Sequence, residues 1–260
     1  MTIPDPVTTP DLRLHLEAPA RLTLDEPLVA LARLAAAAGP VTTSSRLNLL
    51  EGDLSVVVTG PGNRPVRAGW PYPVDSGLRR VTLAAGEALE GGVLLLVGGG
   101  REQLFPTAGR YELVAEFTPT PVTVVRAEPI TVVREDPIGP EGRARARALA
   151  DLGVIGSLMS ASVAPSAADA LAGPVAATPT GRLLAALAAG DPAEVRDAAS
   201  ALVDVAGTVA PASTAVAVLP SGLFPGDERL ASVASVLVAQ DDDGRAAALL
   251  AERPWRPPSG

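Results

Sequence analysis

The sequence predicts an α+β fold with two segregated domains, an antiparallel β-sandwich followed by an α-helical region. Up to about residue 135, short stretches of alternating apolar and polar residues are separated by turns rich in glycine and proline, a pattern typical of a sandwich. After the segment 136–140, Asp-Pro-Ile-Gly-Pro, the chain becomes rich in alanine and leucine at helical spacing. This change in the spacing of apolar residues marks the boundary between the two predicted domains.

The 260 residues are enough for two ordinary domains. We predict the β-sandwich over residues 11–135, a linker over 136–142 and the helical domain over 143–253. The two ends, 1–10 and 254–260, are rich in proline and are predicted to be flexible.

The strands of the first half follow from period-two alternation. Three leucines alternate with polar residues over 12–17, which predicts a strand buried on one face. Segment 28–38 is ambiguous, because its composition favours a helix while its place between two strand-like segments favours a strand, which we predict. Segment 92–97 is predicted to be a strand buried on both faces. Further strands are predicted at 22–24, 47–49, 54–59, 79–83, 122–125 and 130–133, the last two forming an edge of the sandwich.

A glycine and a tyrosine mark a corner before one of these strands. Gly109 supplies a turn that a residue with a Cβ would strain, and Tyr111 follows two residues later. From Tyr111 to Phe117, every second residue is apolar, so this face is predicted to be buried. A tyrosine at this place resembles the tyrosine corner of bacterial immunoglobulin-like β-sandwich domains, which implies a ring packed in the core and a hydroxyl bonded to upstream backbone.

The resemblance covers roughly the first half of the chain and implies a fold. It implies no activity, because sandwiches host many functions. The Gly-x-Tyr-x-Leu corner at 109–113 and the strand pattern also resemble those of bacterial intracellular proteinase inhibitors. No reactive loop is recognisable beside them, so inhibition is an alternative function.

The second half predicts helices at 144–152, 182–189, 192–205, 228–239 and 244–252. The helix after 182 and its following turn are similar to the helix after 229 and its turn, which suggests two helical hairpins. The intervening segments 160–179 and 207–225 are rich in serine, threonine, proline and alanine and are predicted to be loops.

Composition excludes several classes of function. The chain has no cysteine and no lysine, so it offers no thiolate ligand, Schiff-base lysine or Walker-type phosphate lysine. The net charge is −8 and both halves are acidic, which argues against nucleic acid. The start of the chain carries no secretory signal, and the most apolar run, 28–38, is short and contains Arg33. We therefore predict a cytoplasmic protein that does not enter a membrane, and the arginine- and alanine-rich usage indicates a bacterial source.

Catalytic and metal-binding residues are scarce. The single histidine, His15, falls on the polar face of a strand and is predicted to be exposed rather than a catalytic base. One histidine without cysteine argues against zinc. The acidic segment 241–244 suggests a calcium loop, but Arg245 stands where a ligand is needed, so a solvated loop is predicted. No metal or cofactor is expected.

Two acidic pairs and a run of glycines suggest further functional sites. Glu51 with Asp53, and Asp25 with Glu26, suggest a carboxylate-dependent hydrolase, but sugar sites usually need more aromatic residues than this chain has, so turn and rim acids are the simpler interpretation. Glycines 98–100 suggest either an anion-binding nest or a hairpin loop, and we favour the loop.

One segment has the composition of a recognition surface. Trp70 and Tyr72 alternate with prolines, and Arg79 and Arg80 follow shortly after. Tryptophan, tyrosine and arginine are the residues that most often anchor interfaces. The alternative is that the two rings cap one end of the sandwich. We predict these four residues to contact a protein partner.

The sequence as a whole predicts a non-enzymatic protein-interaction, adaptor or assembly protein. Its partners would bind the loops or an edge of the sandwich and the helical region. The residue types most used in catalysis are missing or misplaced, which is the basis of this prediction. The identity of the partner and the oligomeric state are left open.

Overall fold

The computed structural model describes residues 11–49, 53–69, 80–120, 122–160, 163–189, 194, 197 and 198. Within these residues the chain forms eleven strands followed by four α-helices. The strands are β1 Leu12–Glu17, β2 Arg21–Thr23, β3 Leu28–Ala36, β4 Val41–Ser44, β5 Leu54–Thr59, β6 Pro65–Ala68, β7 Arg80–Leu83, β8 Ala88–Leu95, β9 Gly109–Thr120, β10 Thr123–Arg126 and β11 Ile130–Glu135. The helices are α1 Gly139–Leu149, α2 Leu152–Ser160, α3 Ala168–Ala172 and α4 Pro179–Ala189.

The strands form two main sheets and a small third one. The larger sheet has the order β2-β11-β9-β5-β6, and β10 pairs with the end of β9 beyond β11. The second sheet has the order β1-β3-β8, and β4 pairs with β7 separately. All pairs are antiparallel except β2 with β11. The predicted arrangement of β-sheets first and helices afterwards is confirmed.

Aliphatic side chains fill the space between the two main sheets. Alternate residues of β1, β3, β5 and β9 point into one buried cluster, in which Tyr111 and Phe117 are the two aromatic members. The predicted burial of the Tyr111–Phe117 face is confirmed, since Leu113 and Ala115 between them are also fully buried. The low aromatic content of the chain is therefore compensated by leucine, valine and alanine.

Helices cover the outer face of the second sheet. Val29 and Leu31 of β3 and Leu94 of β8 belong to a second buried cluster, together with Ile155 of α2 and Leu183 of α4. β3 is thus covered by the first sheet on one face and by helices on the other. This explains its apolar sequence and confirms the predicted strand, because burial on both faces outweighed helical propensity.

Several predictions of local structure are wrong. Segment 47–49 is not a strand but an irregular crossing that inserts Leu47 and Leu49 into the sandwich core. The 160–179 loop instead contains α3 and two 3₁₀ turns, at Pro165–Ala167 and Val175–Ala177. β11 is not at an edge, because β2 pairs with it in parallel over three residues, from Arg21 opposite Val133 to Thr23 opposite Glu135. The paired residues are far apart in the sequence, so no local pattern indicates this contact. Strands β4 and β6 were not predicted.

Some predictions fall beyond the described residues. The helices predicted at 228–239 and 244–252, the hairpin repeat and both chain ends lie there, and the helix predicted at 192–205 is described only at residues 194, 197 and 198, which are helical. The domain boundaries at 135 and 143 stay predictions, although α1 already begins at Gly139. Among the described residues, no helix has the length and apolar character needed to cross a bilayer.

The tyrosine corner forms as predicted. The Tyr111 hydroxyl donates to the Thr107 carbonyl oxygen at 2.6 Å, and the Phe105 ring packs edge-on against the Tyr111 ring, with centroids 5.0 Å apart. Gly109 has a φ of 149°, and a Cβ there would lie 2.4 Å from Cγ of Pro61. The corner therefore requires glycine for both its backbone conformation and its close approach to the β5–β6 turn.

We predict that Gly109→Ala lowers the free energy of unfolding by about 1–3 kcal/mol, through backbone strain and the contact with Pro61. Gly39→Ala is the control, because a Cβ at Gly39 has no atom within 4 Å and its φ is not positive. Urea denaturation of both variants measures the difference. Equal stability of the two would mean that the corner does not depend on Gly109.

Candidate functional site

An open groove lies at one end of the sandwich, between the β5–β6 turn and the segment that follows β8. Its volume is about 820 Å³. Side chains of β5 and β6 and the buried Tyr111 ring lie beneath it, and the two connecting segments form its rim. The lining residues are Val58, Gly60, Pro61, Gly62, Arg64, Val66, Gly100, Glu102, Gln103, Leu104, Pro106, Thr107 and Tyr111.

The β5–β6 turn is fixed by backbone contacts. The amide of Asn63 donates to the carbonyl oxygen of Gly60 at 2.9 Å, and Asn63 has a φ of 52°, a conformation that asparagine tolerates better than most residues. The Tyr111 ring lies so close to Gly60 that a Cβ there would be 2.5 Å from the ring. This wall of the groove is therefore locked to the tyrosine corner.

The opposite wall is the glycine run at 98–100, which forms a tight hairpin. The amide of Gly98 donates to the carbonyl oxygen of Glu102 at 2.8 Å, and the amide of Arg101 donates to the carbonyl oxygen of Gly98 at 2.9 Å. Carboxylate atoms of Glu102 would lie 2.7 Å from a Cβ at Gly98 and 2.5 Å from one at Gly100. The hairpin interpretation is confirmed, and the chain's own carboxylate lies against the glycines.

The predicted partner-binding residues fall mostly beyond the described part of the chain. Trp70, Tyr72 and Arg79 are among the residues that the structure does not describe. Arg80 is exposed on β7, opposite Ser44 of β4.

Arg80 does not line the groove. Ser44, its neighbour across the strands, bonds the carboxylate of Asp53 at 2.5 Å, just before β5 begins. The groove lies past the other end of β5, where Gly60 follows Thr59. The groove was not predicted from the sequence, although Gly60-Pro61-Gly62-Asn63 was predicted as a turn. The segment that faces this turn, 98–107, follows a strand of the other sheet, so no local pattern links the two.

His15 is exposed, as predicted. Its Nε2 lies 3.2 Å from Oε1 of Glu17 on the same strand, and Arg33 of β3 is directly opposite it. In the part of the chain that the structure describes, no three residues among histidines, aspartates and glutamates converge as metal ligands. Segment 241–244 lies outside that part.

The acidic pairs proposed for a hydrolase are engaged separately. Oδ2 of Asp25 accepts two hydrogen bonds from Arg145, at 2.7 and 3.0 Å, whereas Glu26 accepts one from the Thr23 hydroxyl at 2.8 Å. Asp53 is held by Arg46, with its Nε at 2.8 Å, and by Ser44. Its proposed companion Glu51 is not described.

A group of buried charges at the boundary between the sandwich and α1 was not predicted. Asp25 is 3% exposed and joins the β2–β3 connection to Arg145 of α1. Arg134 of β11 is also 3% exposed and donates to the Glu26 carbonyl oxygen at 2.8 Å. Desolvation lowers the pKa of Arg134 to about 10, opposed by the nearby negative charges of Glu26 and Asp25. Its guanidinium lies 5.1 Å from the centre of the Phe105 ring.

A signal for Arg134 exists in the sequence. It continues the alternation Ile130, Val132, Arg134, which predicts the same inward face for all three. Asp25 and Arg145 are separated by 120 residues, so no local pattern joins them.

We predict that Arg145→Ala lowers the free energy of unfolding by about 3 kcal/mol, because it leaves the buried Asp25 carboxylate without its counter-charge. Arg21→Ala, which breaks the exposed pair with Glu135, is the control and should cost about 1 kcal/mol or less. Thermal and urea unfolding measure both. A similar small loss in both variants would contradict the role of the Asp25–Arg145 pair.

The outer face of the larger sheet carries a second charged group. Glu116 of β9 lies between Arg126 of β10 and Arg67 of β6, with its Oε2 at 3.0 Å from Arg67 Nη2 and its Oε1 at 2.5 Å from Arg126 Nη2. Desolvation of the carboxyl raises its pKa, but the hydrogen bonds and charges of the two arginines outweigh this, so the pKa lies below its ordinary value of 4.5. These ion pairs connect strands β6, β9 and β10.

We predict that Glu116→Gln is less stable than the wild type at neutral pH and that this difference shrinks in acid. A carboxyl with a lowered pKa in the folded state stabilises the fold above its ordinary pKa, 4.5, and this stabilisation is lost as the pH falls through the folded-state value. Urea denaturation from pH 7 to about pH 3 measures it. Glu112→Gln, at an exposed position of the same strand, is the control. A difference that does not depend on pH would contradict the electrostatic explanation.

Comparison with known proteins assigns no family to the chain. No family model matches, and no curated protein matches its sequence. Eight chains of solved structures match. One is the solution NMR structure of the CARDB domain of PF1109 from Pyrococcus furiosus, with 13% identity and a TM-score of 0.24, over 49% of this chain and 97% of that one.

Proposed function

We propose that this chain is a non-catalytic protein-binding protein, an adaptor or assembly component, and that the groove at the end of the sandwich holds a segment of its partner. The observation that supports this is the groove itself, about 820 Å³ in volume and lined by both apolar and polar residues. Such surfaces are the usual sites of recognition in folded proteins.

Both walls of the groove are held by contacts within the chain itself. The tyrosine corner fixes one wall and the Gly98–Glu102 hairpin fixes the other, through the backbone bonds described above. Pro61 and Pro106 on the rim restrict the backbone further. A preformed site loses little conformational entropy on binding, which favours affinity.

The chemistry of the walls suits an extended peptide. Glycines 60, 62 and 100 carry no side chain, so a partner's backbone can approach closely. Val66 is half-buried and Pro61 and Pro106 are exposed, so these three residues offer apolar contacts to side chains of a strand-like segment. Arg64 and Glu102 give the groove one charge of each sign, which favours a partner segment that carries both.

The expectation that Trp70, Tyr72, Arg79 and Arg80 contact the partner is kept in this proposal, with Arg80 on β7 outside the groove. Gly69, the last described residue before Trp70, lies beside the hairpin, since its amide donates to the Val97 carbonyl oxygen at 3.3 Å. Trp70 and Tyr72 are proposed to add contacts to a partner held in the groove.

Filling the groove tests the proposal. A Cβ at Gly62 would have no atom within 4 Å, so Gly62→Arg places a long side chain at the groove without straining the fold. We predict that affinity purification from the source cell, followed by mass spectrometry, recovers a partner with the wild type and loses it with Gly62→Arg. Trp70→Ala with Tyr72→Ala should weaken the same capture.

Gly39→Arg is the matched control, because Gly39 is equally open and lies away from the groove. It should retain the partner. A partner captured equally by all variants would remove this surface, and the absence of any partner of the wild type would contradict a binding function.

A further inference from the structure

Strand β1 lies at an edge of the second sheet. In the part of the chain described, it pairs with β3 alone, in an unbroken register from Leu12 opposite Ala36 to Glu17 opposite Leu31. An unpaired edge offers its backbone N–H and C=O groups to another strand. β1 contains no proline, no lysine and no bulge, three of the features that usually protect an edge.

The register shows which backbone groups face the open edge. Next to the strand, the amide of Ala37 donates to the carbonyl oxygen of Asp11 at 2.7 Å. Bonded and non-bonded pairs alternate along an antiparallel ladder, so the odd-numbered residues of β1 direct their backbone groups toward β3. The backbone groups of Leu12, Leu14 and Leu16 therefore point outward.

The side chains of β1 are complementary to themselves. Arg13, His15 and Glu17 are exposed on the outer face, while the leucines between them are buried in the sandwich. If a second β1 lies antiparallel with the two copies of His15 opposite each other, Arg13 of each copy faces Glu17 of the other. Leu14 of each copy then faces Leu16 of the other, and their outward backbone groups can bond.

We propose that two copies of this chain associate through their β1 edges around a two-fold axis, which joins two three-stranded sheets into one of six strands. This goes beyond the proposed binding function and does not depend on it. The contact is isologous, so it closes on itself and forms a dimer rather than a fibre. It is also small, with six residues from each strand, so the dimer forms in a concentration-dependent way.

Charge reversal tests the register. Arg13→Glu places two acids opposite each other at both ends of the contact, and Glu17→Arg places two arginines there. Each single variant should raise the dimer dissociation constant roughly tenfold to thirtyfold, because both cross-strand pairs change from attraction to repulsion. The double variant Arg13→Glu with Glu17→Arg should restore the dimer. Sedimentation velocity of the full chain over a range of concentrations measures all of them.

Mixing gives a second readout. An equimolar mixture of the two single variants should form a heterodimer, since each supplies the charges that the other lacks. Arg110→Glu, at an exposed position of β9, is the control for net charge and should leave the dimer unchanged. A wild type that remains monomeric at about 1 mM would overturn the proposal. A dimer that neither single reversal weakens would also overturn the proposal, because such a dimer would form through a surface other than the β1 edge.

Discussion

The structure depends on covering strand β3 on both faces. Leu28, Ala30, Ala32 and Leu34 face the sandwich core, while Val29 and Leu31 face the helices. A strand of this kind cannot lie on the surface, because each exposed leucine or valine would forgo about 1.5–3 kcal/mol of burial. The helices are therefore one of the two layers that keep the central strand of the second sheet away from water.

The same constraint explains where charge is tolerated. Arg33, also on β3, is exposed, whereas Val29 and Leu31 earlier on the same strand pack in the cluster with the helices. Asp25 and Arg145 are placed where the sandwich meets α1, and each neutralises the other as the two layers close. Apolar packing brings the layers together, and this ion pair restricts how they align.

Local sequence was informative where a contact is local or periodic. The Gly109–Tyr111 corner, the alternation of β1 and β9 and the turn at 60–63 were predicted, because each depends on neighbours within a few residues. Segment 47–49 was misread as a strand, since Leu47-Asn48-Leu49 alternates like one although it crosses the core irregularly.

The groove and the buried charges required the tertiary structure. The segments around residues 60 and 100 meet because the chain after β8 passes from one sheet to the other. There it pairs with the end of β6, in the bridge between Ala68 and Gly98. Asp25 and Arg145 are equally remote in sequence. The exposure of His15 was predictable, whereas the open edge beside it became visible only with the order of the strands.

The two-sided burial of β3 has a consequence for how this protein can be shortened. A chain cut at the end of β11 would keep the tyrosine corner and the groove but would uncover Val29, Leu31 and Leu94. These side chains would form an exposed apolar strip on a sheet that, in the part of the chain described, has β1 as an open edge, a combination that promotes aggregation. Studies of the β-sheet half alone should therefore begin by replacing that strip with hydrophilic residues.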